Sequence, residues 1–257
     1  MATYGAVFPR VLREGLRQMA YRTDPRFAQP GLAVPATDEG LRSFMLSVFN
    51  YMGLGLALTG IVALAVASTP ALLVPIFTTP LKYVVMLAPL GFVFFLSARI
   101  RSMSASAAQI TFWLFAAVMG VSMASIFLVF TGESVARVFF VTAATFGAVS
   151  LWGYTTKRDL TGMGSFLFMG LIGIVIAGLV NLFVGSSALQ FAISVIGVLV
   201  FTGLTAWDVQ RLKEEYIGAL HVGGELAAKG AIMGALSLYL NFINLFTSLL
   251  QLMGNRN

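Results

Sequence analysis

Five polar side chains on the last apolar stretch set the chemistry open to this chain: Ser237, Asn241, Asn244, Ser248 and Gln251. Their steps of 4, 3, 4 and 3 put them on one face of an α-helix. Gly230 and Gly234 continue that face, and the other faces are Leu, Phe, Ile and Tyr. An amide turned toward hydrocarbon leaves its hydrogen bonds unmade, so the stripe must face protein or water. Two uses fit the spacing equally: hydrogen bonding between helices, or the wall of a hydrated path.

Asp208, in "TGLTAWDVQRLK", is the one acidic residue inside an apolar segment. Acids within a membrane mark ion and proton paths by default. The plainer role is an ion pair at a helix end with Arg211, one turn on. A carboxylate near a helix C-terminus opposes the macrodipole, which argues that something else keeps it there. A hairpin turning near "HVGG", His221 to Gly224, brings Asp208 level with Asn241. The second apolar segment ends in "SARIRSMS" on the same membrane side, which makes Arg99 and Arg101 candidate ion-pair partners for Asp208. Such a pair would close a path and loosen when the acid takes up a proton. Snorkelling to the interface is the alternative role of both arginines.

The elements that must hold these residues follow from composition. The chain has 257 residues, 58% hydrophobic and 10% charged, with a mean hydropathy of +0.90. Soluble domains carry about 25% charge, so this is a polytopic membrane protein. There is no cysteine and one histidine, His221, in a polar connection. Disulfides, thiol catalysis, Cys- or His-built metal sites and a Ser-His-Asp triad in the membrane are thereby excluded. No GxSxG, HExxH or nucleotide loop occurs. The expectation is a protein that is not an enzyme, with no catalytic residue, cofactor or resident metal.

Seven apolar segments follow Arg42, at about 43–68, 81–99, 105–130, 135–155, 163–184, 187–208 and 230–253. Each reaches the ~20 residues that a membrane-crossing helix needs. Thr79-Pro80 reads as a helix start, and Ser187 with Gln190 as a capping box. With the N-terminus in the cytoplasm, 13 of the 16 Lys and Arg residues fall inside and 3 outside. That bias fixes the orientation and accounts for a pI of 9.9 without a nucleic-acid partner. Residues 1–41 form a basic tail with no apolar run, so they are not a secretory signal. Within the tail, Phe8 to Arg22 has the pattern of a basic amphipathic helix for anionic lipid, and its arginine bias also resembles a mitochondrial transit peptide. A mobile cytoplasmic tail is the blander reading. The organisation is therefore a tail, 1–41, and a seven-helix membrane domain, 42–257.

Four stretches together resemble the Bax inhibitor-1 family: "FNYMGLGLALTG", "GYTTKRDLTGMGSFLFMGLIG", "TAWDVQRLK" and "ALSLYLNFINLF". The likeness covers residues 40–257, and the tail and glycine pattern are most similar to bacterial members, which implies a bacterial inner membrane rather than a mitochondrial one. The resemblance implies an all-α bundle of seven transmembrane helices with the last helix central. It also implies a pH-sensitive calcium leak governed by two aspartates, one on each of the last two helices. Asp208 matches the first position, and the second falls on Asn241, where this sequence departs from the family pattern. An Asp–Asn pair keeps a hydrogen bond but has one proton site and one charge fewer than a carboxylate pair. Calcium prefers anionic oxygens. The expected partners are the bilayer and calcium or another cation. The second reading is an interaction protein that modulates a membrane-bound AAA protease, as some bacterial relatives are linked to doing.

Overall fold

The structure, a computed structural model, describes residues 33–100, 102–218 and 224–257. The basic tail through residue 32, with its amphipathic stretch, and Arg101 and His221 lie outside them. Leu41–Asn257 forms one compact unit.

The helices, in chain order, are α1 (Ala33–Ala67), α2 (Pro70–Thr78), α3 (Leu81–Arg99), α4 (Ala105–Met123), α5 (Ile126–Val129), α6 (Gly132–Thr155), α7 (Thr161–Val184), α8 (Ser187–Gly218) and α9 (Gly224–Met253). Among the described residues there is no strand, only an isolated bridge between Phe130 and Arg256. Among the described residues, seven helical spans are long and apolar enough to cross a membrane: α1, α3, α4 with α5, α6, α7, α8 and α9. The seven expected segments are therefore the seven observed ones, with three adjustments. The short α2, nine residues long, connects α1 to α3 and buries no residue. At 1.5 Å per residue it is too short to cross. Ser186, not Ser187, caps α8 by accepting from Leu189 N at 3.2 Å, while Gln190 accepts from Asn181 Nδ2 at 3.2 Å. The last two helices also run further than their apolar cores, α8 to Gly218 and α9 back to Gly224.

That third adjustment overturns the placing of Asp208 at a helix end. The apolar run stops at 208 because the helix continues as the charged stretch VQRLKEEYIG. Asp208 thus lies ten residues before the C-terminus of α8, beyond the last turn in which the macrodipole acts. At 32 residues, α8 extends about 48 Å, well past a hydrocarbon core of about 30 Å.

Burial identifies the centre of the bundle. The most apolar window of α9 is 56% buried, against 6% for α7 and 33% for α8. Around α9 stand α8, α6 and α4, and α1 joins through Met45, Val48 and Met52 in the same core as Phe112, Leu238 and Tyr239. Close approach is set by glycine. A Cβ on Gly120 would strike the Thr59 carbonyl and Val62 of α1. Thr59 spends its hydroxyl across that contact, donating to Ala116 O at 2.8 Å and accepting from the Tyr239 hydroxyl at 2.7 Å. The outer side chains of α7 (Phe166, Leu182, Phe183) and α3 (Val84, Leu87, Phe94) are large, apolar and exposed, as lipid-facing surfaces are.

Candidate functional site

Asp208 and Asn241 meet across the α8–α9 hairpin. Asn241 Nδ2 donates to Asp208 Oδ2 at 2.7 Å. The other carboxylate oxygen, Oδ1, pairs with Arg211 Nη2 at 2.7 Å. Both Asp208 and Asn241 are buried, at 6% and 7% exposure. A buried charge must be paired and hydrogen-bonded to persist, and each oxygen of Asp208 has one strong donor. The cation on Asp208 is thus Arg211, not Arg99. Arg99 sits exposed at the end of α3, whereas Arg211 is one helical turn from Asp208, where i,i+3 spacing brings the side chains together.

Arg211 is itself held from several sides. Its guanidinium lies over the Trp207 ring, 4.7 Å from the centroid, and Glu215 Oε1 stands 3.5 Å from its Nε. That distance is close enough for charge attraction, but Nε makes no aligned hydrogen bond and is buried. Trp207 in turn packs against Gly164, where a Cβ would collide with the indole.

The stretch from Gly153 to Gly164 is the frame for this group. Gly153 lets α6 lie against the Ala206 backbone of α8. Gln210, buried at 7% exposure, clamps the connection between α6 and α7 from both ends of its amide. Its Oε1 accepts from Leu160 N at 2.8 Å, and its Nε2 donates to Arg158 O at 2.7 Å. Lys213 Nζ donates to Tyr154 O at 3.2 Å. Asp159 accepts from Thr161 N at 2.8 Å at the start of α7, and hydrogen bonds from the Thr161 side chain and backbone hold its carboxyl below the usual range.

The polar stripe of α9 divides. Ser237, Asn241 and Asn244 line a cavity of about 600 Å³ that Asp208, Arg211 and Trp207 also border. Ser248 leaves it and packs against Gly197 of α8, donating to Asn244 O at 2.8 Å. Gln251 is exposed, accepts from Arg256 at 3.3 Å, and borders a second, outer pocket of about 460 Å³ with Asn181, Gln190 and Ser194. The stripe is one face of a helix but not one seam, because α8 crosses it near Gly197.

Sequence reasoning did not find Gln210 or Trp207, or the contribution of α3 and α7 to the cavity. The first two sit in "AWDVQRLK", where Gln and Trp beside an acid carry no spacing signal. Among the described residues no cluster of three or more His, Cys, Asp or Glu could hold a metal. A bare carboxylate with one amide oxygen is a poor resident site for calcium, which takes six to eight oxygens.

The family model described as "Inhibitor of apoptosis-promoting Bax1" matches residues 41–257. The chain is 48% identical to protein RP147 of Rickettsia prowazekii, over 85% of this chain and 92% of that one. It is 47% identical to inner membrane protein YbhL of Escherichia coli, over 84% of this chain and 93% of the relative. A protein of Caulobacter vibrioides is 46% identical over 85% of this chain and 91% of its own length.

Proposed function

The chain belongs to the Bax inhibitor-1 family, and from that premise we propose that this multi-pass membrane protein is a pH-sensitive cation leak, with calcium among the ions it passes. It sits in the bacterial inner membrane, as the name of one relative has it, with its N-terminus in the cytoplasm. The observation that carries the reading is the triad of Asp208, Arg211 and Asn241 at the edge of the α9 cavity.

In the latched state Arg211 cancels the charge of Asp208, and Asn241 occupies the second carboxylate oxygen. A cation meets no free anionic ligand there. Protonation of Asp208 removes the charge that holds Arg211, which then turns toward Glu215, 3.5 Å from Nε. The groups facing Asp208 are Arg211 and Glu215 on its own helix and Asn241 on α9. Asp159, at the start of α7, already stays ionised well into acid, so it supplies no response near neutral pH.

Purified protein in liposomes loaded with a calcium dye, stepped between acidic and alkaline buffer, tests this. The unmodified protein is expected to pass calcium at a rate that changes with pH. Asp208→Asn is expected to flatten the profile. Asn241→Asp adds a second carboxylate beside the first, so one of the two titrates nearer neutral pH; calcium flux is expected to rise and its pH dependence to sharpen. Three folded proteins with identical, pH-independent flux would reduce the triad to structural glue and leave the interaction-protein reading in front.

A further inference from the structure

The cavity beside the triad is open sideways. One lip is α3, where Met86 and Leu90 are exposed, and the other is α7, where Phe168 and Val175 are exposed. No substantial packing joins α3 to α7: α3 rests on α4 and α2, and α7 on α8. Both lips lie inside spanning helices, away from their ends. Met86 is five residues into the 19 of α3, and Phe168 and Val175 are seven and fourteen into the 24 of α7. At 1.5 Å per residue the lip residues are about 8–14 Å from the nearer helix end. That height in a bilayer is hydrocarbon.

The interior is of matching chemistry. Behind the lips stand Pro89 and Val93, Leu171 and Ile174, and Leu204 and Ile243. Two polar side chains of α9 in the wall bond back to their own helix. Asn244 Nδ2 donates to Leu240 O at 2.8 Å, and Thr247 Oγ1 to Ile243 O at 3.0 Å. Both oxygens of Asp208 are taken. Of the seven polar side chains in the lining, Asp208, Arg211, Asn241, Asn244 and Thr247 thus already have protein partners.

We propose that this groove is a lipid site, in which one acyl chain of a bilayer phospholipid enters between α3 and α7 and lies along α9 toward Asn241. A transmembrane helix of a partner does not fit. At a diameter of 10–12 Å and a pitch of 5.4 Å, one helical turn fills about 400–600 Å³, so a cavity of about 600 Å³ holds about a turn. A flexible methylene chain threads the same space, and the hydrophobic effect favours its burial only against water. Against lipid the gain comes from contact and shape, so the chain is exchangeable. The assignment goes beyond ion passage and stands on the groove alone.

The test reconstitutes the full chain in phosphatidylcholine vesicles that carry a photoactivatable diazirine at mid-chain, followed by peptide mapping of the adducts. Labels are expected on the cavity side of α9, at Leu240 and Ile243, as well as on the lips at Met86 and Phe168. Leu171→Trp fills the groove and is expected to remove the α9 labels at least fivefold while leaving those on the lips. Labels confined to the lips and outer faces of the unmodified protein overturn the proposal, and such a result would fit a protein occupant instead. Labels on α9 that persist undiminished in Leu171→Trp overturn it as well, since the chain would then arrive by another route.

Discussion

Asp208 has two donors inside the bundle, and the two are not equivalent. Arg211 supplies a full positive charge and Asn241 an amide N–H. Removing one member of a buried ion pair costs about 3–5 kcal/mol, because the survivor is left uncompensated. The Arg211 side chain is 35% exposed, so solvent screening lowers the figure to about 2–3 kcal/mol. Arg211→Ala is therefore expected to destabilise the detergent-solubilised protein by that amount. Adding Asp208→Asn to Arg211→Ala should recover at least half of the loss, since the uncompensated carboxylate is gone. Chemical denaturation of the two single variants and the double variant gives the coupling directly. Additive losses would mean that the 2.7 Å pair contributes nothing to stability.

At the scale of elements, glycines decide how near the helices come, and one of them sets the latch. Gly164 of α7 lets the Trp207 indole lie where a Cβ would stand, and Trp207 carries Arg211 on its ring. Gly164→Ala must push the indole away, and overpacking of this kind costs about 1–3 kcal/mol. The expected result is a lower unfolding midpoint together with a changed Trp207 fluorescence, measured with Trp113 and Trp152 replaced by Phe. Gly173→Ala is the control, because a Cβ there meets nothing within 4 Å. The length and number of the spanning helices were legible because hydropathy alone requires them. The facing of Asp208 and Asn241 was legible from hairpin symmetry. The identity of the cation stayed open between Arg211 and the α3 arginines because the apolar run ends at Asp208 and hides the further turns of α8. Sequence spacing then offered Arg99 and Arg211 alike, and only the course of the helix chooses. The cavity itself left no trace in the sequence, since it arises where α3 and α7 fail to meet.

For the whole molecule, seven crossings require the two ends of the membrane unit to lie on opposite sides. The fold also ties down the end that follows α9. Thr131 N donates to Asn255 O at 3.1 Å and Asn257 N to Val129 O at 3.0 Å, while Asn255 N donates to Ser134 Oγ at 2.8 Å. Arg256 lies over the Phe130 ring at 5.8 Å. This strap joins the C-terminal end of α9 to the α5–α6 connection, so the central helix is fixed at that end. We propose, on the Lys and Arg bias, that the strap lies outside the cytoplasm. A reporter active only in the periplasm is expected to work when fused after Asn257, and a cytoplasmic reporter to work when fused before Met1. Deleting Gly254–Asn257 leaves the Thr131 N–H donor and the Ser134 Oγ and Val129 O acceptors without their partners and should lower the unfolding midpoint, at about 0.5–1.5 kcal/mol per hydrogen bond lost. Hydrogen exchange should quicken first at Val129–Ser134, ahead of the hairpin at Asp208. Two cytoplasmic ends would overturn the seven-crossing topology. Exchange that quickens everywhere at once would mean that the strap secures the whole bundle rather than its outer end.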